Sequence, residues 1–457
     1  MRSVGGVIAF GPSKILGSCS RWRTWTAIEG EFVIKNKIFF GWLLVPVAAF
    51  GMCFGYPGAF IFGFSSFVIP LSEQYGWGRG DIALAITVSN ISMMAMLPIL
   101  GTIVDQKGVR ALLIPATILF GLIFALFSQV SHLWQFYVGA FALTVLGGGA
   151  STIAYVPLLT SWFDKHKGLA LGLGISGAGI GAIIMPRLVN WITVQASWRE
   201  AYMAIGAVNL LIVAPLVFFM VRNKPADIGQ YPDGVSQQEW RTSGEARLAA
   251  GYTFSECLRQ ATFWKLVIAS FLLGIALTGA VSQIVPLLVD RGMTRGEAAG
   301  AASMLGVSII TSRIISGYLM DKFHAPYVAA LALMTTAAGF ASLAFAPSNA
   351  TAIMTTVAIG IGLGVEFDVL GYLCAQYFGR RSVGRTYGFM YMLFNVGGAA
   401  GVYFAGLSFD MFGSYHSGLI VASIATLVAI VMLMLIGPYP ILPSNEVEPS
   451  PGKGETA

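Results

Sequence analysis

Residues 299–321 read AGAASMLGVSIITSRIISGYLMD, an apolar stretch long enough to cross a bilayer with one arginine, Arg313, inside it. A guanidinium cannot lose its proton at any ordinary pH, so it cannot escape the membrane's cost by neutralising. Holding it at a bilayer centre costs roughly 2.5–3.5 kcal/mol on insertion scales. Asp321 marks the expected cytoplasmic end of this segment, which puts Arg313 about 12 Å inside at the helical rise. A charge so placed faces a wet cavity or a partner charge. The rest of the chain reads as housing for that cavity.

Of the 457 residues, 56% are hydrophobic and only 11% charged. Soluble domains carry about 25% charged residues. Apolar runs of this length recur along the chain, which predicts an all-α membrane protein of twelve transmembrane helices. The expected spans lie near 39–70, 82–103, 110–130, 134–162, 168–193, 200–221, 263–289, 297–320, 327–346, 350–378, 385–409 and 418–437. Between the sixth and seventh, Pro225, Pro232 and mixed charges read as a linker. The chain then divides into a cytoplasmic tail 1–38, a six-helix bundle 39–222, a cytoplasmic linker 223–262, a second six-helix bundle 263–438 and a tail 439–457. The first 37 residues are basic and lack an apolar core with a cleavage site, so no removable signal peptide is expected.

The net charge of +6 fits membrane loops better than nucleic-acid binding. With the N-terminus inside, the cytoplasmic segments hold 21 of the 27 Lys and Arg. This orients both termini to the cytoplasm, in a plasma (inner) membrane. Cys19, Cys53, Cys257 and Cys374 are scattered, and His132, His166, His324 and His416 fall in loops or at span ends. No metal site or cofactor is expected from them. There is no Walker loop, no HExxH and no Gly-x-Ser-x-Gly elbow, so the chain does not read as an enzyme.

Four charges fall inside spans: Arg187, Arg313, Glu366 and Asp368. Arg187 is expected at the outer interface, where it can snorkel. Glu366 and Asp368 lie at nearly the depth of Arg313, but residues two apart on a helix point about 200° away from one another. Asp368 and Tyr372 share a face. Either acid could exchange a proton as an anion binds Arg313, or the three could form a fixed pair joining spans eight and ten. Polar residues that could line a path are Asn90, Tyr155, Gln283, Tyr391 and Asn395, residue types that in membrane helices more often serve packing than ligand contact.

The two halves repeat. Gly101-Thr-Ile-Val-Asp105 returns as Gly317-Tyr-Leu-Met-Asp321, and Trp162-Phe163 as Tyr377-Phe378, at the same separation to within one residue. Repeats of this kind build a central site between two bundles in many secondary transporters.

Gly101-x-x-x-Asp105-x-x-Gly108-x-Arg110 resembles the signature loop of the major facilitator superfamily, and the Gly317/Asp321 copy fits that family's second half. The resemblance implies a structural role at a gate. The second copy departs from the pattern at His324-Ala325-Pro326. Trp162-Phe-Asp-Lys165-His-Lys167-Gly-Leu169-Ala170-Leu-Gly172, with Gly177 beyond, resembles the fifth-span signature of monocarboxylate transporters, much of which oxalate/formate exchangers share. In the animal monocarboxylate transporters an Asp stands where this chain has Ile309 and a Lys where it has Phe64, while Arg313 is retained.

The resemblance implies a secondary active transporter of a small organic anion, a mono- or dicarboxylate, working by alternating access with proton coupling or exchange. Arg313 would anchor the carboxylate among Tyr155, Gln283, Tyr372, Tyr391 and Asn395, and Glu366 or Asp368 would carry the proton. The partners would then be the anion, protons and the bilayer. The alternative is an exporter of larger amphipathic compounds in which Arg313 is structural.

Overall fold

Inside a bilayer each backbone amide must be bonded within the chain, which leaves helices for a sequence this apolar. The computed structural model describes residues 39–236, 238, 240, 251–290, 293, 295–345, 348–412 and 414–440. Some side chains within its helices, that of Gln283 among them, fall outside the description. The expected tail 1–38 lies outside it, as does 439–457 apart from its first two residues.

From Phe40 onward the chain forms one compact unit. Its first half holds α1 Gly41–Phe62, α2 Leu84–Lys107, α3 Val109–Gln129, α4 Leu133–Trp162, α5 Lys167–Gln195 and α6 Trp198–Met220. Its second half holds α7 Ala261–Val281, α8 Arg295–Met320, α9 Ala325–Phe345, α10 Asn349–Phe378, α11 Val383–Phe412 and α12 His416–Met434. Eleven are long and apolar enough to cross a membrane, and α8 carries a shorter apolar stretch, Met304–Met320.

Three helices of the first half are broken. α1 turns at Gly55 into a π-helical segment, Tyr56–Phe62, and continues as Ser65–Tyr75. α4 runs as Leu133–Gly147, opens over Gly148–Ser151, and restarts as Thr152–Trp162. Three consecutive glycines, Gly147 to Gly149, supply the break, since each costs about 1 kcal/mol in a helix relative to Ala. α5 is interrupted at Ser176. The sequence pattern gives a single uninterrupted span at α4 and α5. Apolarity sets the length of a crossing and does not register where its hydrogen-bond ladder opens.

The halves meet chiefly along two helix pairs, α2 with α11 and α5 with α8, and α4 also touches α10 and α11. Glycine makes the approach possible. A Cβ at Gly101 would collide with the carbonyl of Gly384, and one at Gly317 with the carbonyl of Gly168. Small residues let membrane helices pack backbone to backbone. Within the second half, α10 lies tightly on α8: a Cβ at Gly364 would collide with the Ser312 hydroxyl and lie 2.6 Å from the Ile309 carbonyl. That contact sets Arg313 of α8 beside Glu366 and Asp368 of α10.

The described part of the linker is ordered against the loop between α4 and α5. Asp233, at φ 57°, accepts from the amides of Asp164 and Lys165 at 2.8 and 2.6 Å. Farther along, Gly251 pairs with Gly379 in an isolated antiparallel bridge.

Candidate functional site

Arg313 is 5% exposed. Its Nη1 donates to the carbonyl of Ile175 at 2.7 Å, across the junction between the halves. That carbonyl is offered because α5 is interrupted at the next residue, Ser176. Gly172, one turn earlier, lets α5 press on the Arg313 backbone, since a Cβ there would collide with the Arg313 carbonyl. Arg313 therefore sits in the protein interior between the halves and is not turned out to lipid.

Glu366 and Asp368 are 2% and 0% exposed. All four of their carboxyl oxygens lack a hydrogen-bond partner, and neither acid forms an ion pair among the described residues. No hydrogen bond joins Arg313 to either acid among the described residues. Both acids are within electrostatic reach of Arg313, although they stand two residues apart on one helix. Burying a charge without partners costs several kcal/mol, so an acid left this way holds a proton or awaits a donor.

The buried hydroxyls of α4 and α11 include groups absent from the sequence-based candidates. Tyr155 is fully buried against Gly51 of α1, and its hydroxyl takes no hydrogen bond. Ser151 and Thr152, 2% and 6% exposed, stand at the opening of α4, the Ser151 hydroxyl unpartnered and that of Thr152 beside Tyr387 and Tyr391. Tyr387 of α11 is buried and stacks on Tyr391 at 5.9 Å between ring centroids. Tyr387 and Tyr391 both neighbour Thr152 and Glu366. The Gly147–Gly149 run is the sequence signal for Ser151 and Thr152, because glycine-interrupted spans mark binding sites in carriers of this type. Tyr387 carries no comparable signal. A tyrosine in an apolar helix reads the same at a packed face as at a site.

Other candidates fall elsewhere. Tyr372 donates to the Met320 carbonyl at 3.1 Å and lies under the Lys167 ammonium, with the loop contacts rather than the buried acids. Asn395, half-buried, donates to the Tyr391 carbonyl one turn back at 2.7 Å. Asn90 and Arg187 are exposed, and Arg187 donates only weakly to Ile183, as a snorkelling side chain would. Gln283 has its backbone in the helix that continues α7, and its side chain lies outside the described residues. Phe64 packs on Phe60 and Phe136. Two apolar grooves lie apart from the cluster. One of about 420 Å³ is lined by α7, α11 and α12, and one of about 890 Å³ runs along α8, α9 and α10.

The repeated loops make reciprocal contacts. Asp105, near the end of α2, accepts from the amides of Gly384 and Arg385 at 2.7 and 2.8 Å, at the start of α11. Asp321, just beyond α8, accepts from the amides of Gly168 and Leu169 at 2.6 and 2.9 Å, at the start of α5. Each half thus caps a helix of the other, where a helix N-terminus favours negative charge. Burial in this contact pushes the Asp321 carboxyl up to about 6, outweighing the two amide donors. Gly108, at φ 82°, and Arg110 belong to the first half alone. Arg110 takes Asn223 on its amide at 2.8 Å and donates to the Phe218 carbonyl at 3.1 Å. Arg380, before α11, donates to the Ser161 and Phe163 carbonyls that end α4, at 3.1 and 3.0 Å.

Comparison with known proteins agrees with this architecture. Residues 48–402 match the profile of the Major Facilitator Superfamily. The chain is 24% identical over 389 residues to monocarboxylate transporter 13 of Rattus norvegicus, covering 84% of this chain and 85% of that one. It is 23% identical over 341 residues to YhjX, an uncharacterised MFS-type transporter of Escherichia coli (strain K12), covering 74% and 81%. Among solved structures, the E. coli fucose:proton symporter FucP matches with a TM-score of 0.65 at 18% identity, over 86% of this chain and 99% of that one. The proton:xylose symporter XylE matches with a TM-score of 0.70 at 13% identity, over 88% and 96%. At these identities the structural likeness bears on fold alone, and the twelve-helix fold is shared. The chain is a multi-pass membrane transporter, not an enzyme, and it belongs to the Major Facilitator Superfamily.

Proposed function

We propose that this chain is a secondary active transporter of a small organic anion, a mono- or dicarboxylate, working by alternating access. Arg313 anchors the carboxylate through its guanidinium fork, and Glu366 or Asp368 carries the coupled proton. The observation that carries the reading is a permanent positive charge buried between the halves, with two buried acids in its electrostatic reach whose carboxyl oxygens accept no hydrogen bond. The monocarboxylate transporters among its relatives support the same substrate class at low identity.

Gly101, Asp105, Gly108 and Arg110 with Gly317 and Asp321 form the gate. In this reading the reciprocal caps close the cytoplasmic side, and their release opens it. Both termini are cytoplasmic, on the distribution of Lys and Arg, and the proposed membrane is the plasma (inner) membrane.

The test is uptake of labelled carboxylates by purified protein in liposomes under an imposed pH gradient. Saturable uptake driven by the gradient is expected. Arg313→Lys should lower it by roughly tenfold or more while the protein still inserts, because an ammonium cannot present two parallel N–H donors. Normal uptake by that variant would remove the anchor and favour an exporter with a structural arginine.

A further inference from the structure

Glycine seats both α8 and α9 on α10, and the space between the two is left open. A Cβ at Gly360 of α10 would lie 2.6 Å from the Ser308 Cβ on α8, and one at Gly339 of α9 would lie 2.9 Å from the Ala358 Cβ on α10. α10 is therefore a floor on which the other two stand, and the groove of about 890 Å³ runs between them. Val357, Ile361 and Val365, one turn apart on α10, line it from below. Along α8 it extends from Val307 to Leu319, about 18 Å at the helical rise. That is close to the hydrocarbon of one leaflet, half of a core about 30 Å thick.

The walls carry five Ser and Thr hydroxyls, and each spends its proton on its own helix. Ser308, Thr311, Ser312 and Ser316 donate to carbonyls of α8, and Thr335 donates to the Ala332 carbonyl of α9. Walls without a free donor do not repay a polar ligand for its lost water, whereas hydrocarbon loses nothing there. Ile315 and Leu331 stand exposed on the two walls.

One end differs. There the α8–α9 loop brings in Lys322 and His324. The Lys322 ammonium stands over the Tyr318 ring at 4.3 Å, and no acid pairs with it among the described residues. Neither ring nitrogen of His324 has a hydrogen-bond partner. Phe323 and Tyr327 are exposed at the same end, as aromatic side chains are at a membrane–water boundary. An apolar groove one leaflet long, with an unpaired cation at its mouth, is complementary to a molecule with a hydrocarbon tail and an anionic head. Basic pockets between membrane helices hold acidic lipid headgroups in this way.

We propose that the groove between α8 and α9 is a binding site for an anionic phospholipid of the surrounding bilayer. One acyl chain lies on α10 between the two walls, and the headgroup phosphate meets Lys322. The site is separate from Arg313, and its loss would leave the organic-anion reading standing.

The experiment is native mass spectrometry of the full chain in detergent, titrated with phosphatidylglycerol and phosphatidylcholine of identical acyl chains. The first phosphatidylglycerol should bind about fivefold more tightly than the first phosphatidylcholine, the factor that one basic residue contributes at an anionic surface. Lys322→Gln should bring that ratio close to one. This side chain is exposed and makes no hydrogen bond among the described residues, so the variant should fold. Lys107→Gln, which removes an exposed cation at the end of α2, should leave the ratio unchanged. Ala332→Phe and, independently, Thr335→Phe fill the groove from α9 and should weaken the first molecule of either lipid. Equal binding of the two lipids by the wild-type chain would overturn the site. So would an equal loss in the Lys322 and Lys107 variants, or undiminished phosphatidylglycerol binding by both groove-filling variants.

Discussion

Asp368 is fully buried on α10 with neither carboxyl oxygen in a hydrogen bond and with Arg313 in electrostatic reach. Asp368→Asn removes the ability to exchange a proton while keeping shape. Uptake of a plain carboxylate by this variant should lose its dependence on the pH gradient, read as the ratio of uptake with and without the gradient. An unchanged ratio would leave Glu366 as the carrier. Asp321 is a different case. Its carboxyl is pushed up to about 6 when the loop is docked on α5, against an ordinary 3.8. Between those values the docked form binds more protons, so docking strengthens as pH falls through this window and weakens as pH rises through 6. A distance probe between the α4–α5 and α8–α9 loops should report more docking at pH 5 than at pH 7. Asp321→Asn should flatten that difference.

Among the elements, α8 and α10 are fixed to each other by glycine. Gly364 meets the Ser312 hydroxyl and the Ile309 carbonyl so closely that any side chain must push the helices apart. Gly364→Val should destabilise the protein by about 1–3 kcal/mol, seen as a lower Tm in detergent, and should also cut uptake by separating Arg313 from the acids. A variant with wild-type Tm and uptake would mean that the pair tolerates the spread. The break in α4 is an element-scale feature as well. Its three glycines spend helical stability at the depth where Ser151 and Thr152 are buried, as carriers do where they turn backbone and hydroxyls toward a ligand.

At the scale of the whole molecule, the internal repeat becomes an exchange of caps. Asp105 of the first half holds α11 of the second, and Asp321 of the second holds α5 of the first. Hydrogen bonds to a charged group contribute about 1.5–3 kcal/mol each, and releasing both loops breaks four of them, so the docked loops weigh heavily in a two-state equilibrium. Asp105→Ala with Asp321→Ala should shift the population toward the cytoplasm-open form, measured by the same distance probe, and more than either change alone. An unmoved population would deny the loops a gating role. The sequence by itself determined the membrane class, the twelve crossings, the duplication and the one arginine that a bilayer would not tolerate without reason, because apolar length, charge bias and spacing are local quantities that one pass along the chain records. Only the tertiary structure decided that Arg313 bonds to Ile175 while the carboxyl oxygens of Glu366 and Asp368 accept no hydrogen bond, that α4 opens at Ser151, and that Tyr387 joins the cluster while Tyr372 leaves it. Those outcomes depend on how closely glycine lets one helix approach another and on which way a side chain turns once it is there. Neither is written in the spacing of residues along a single helix.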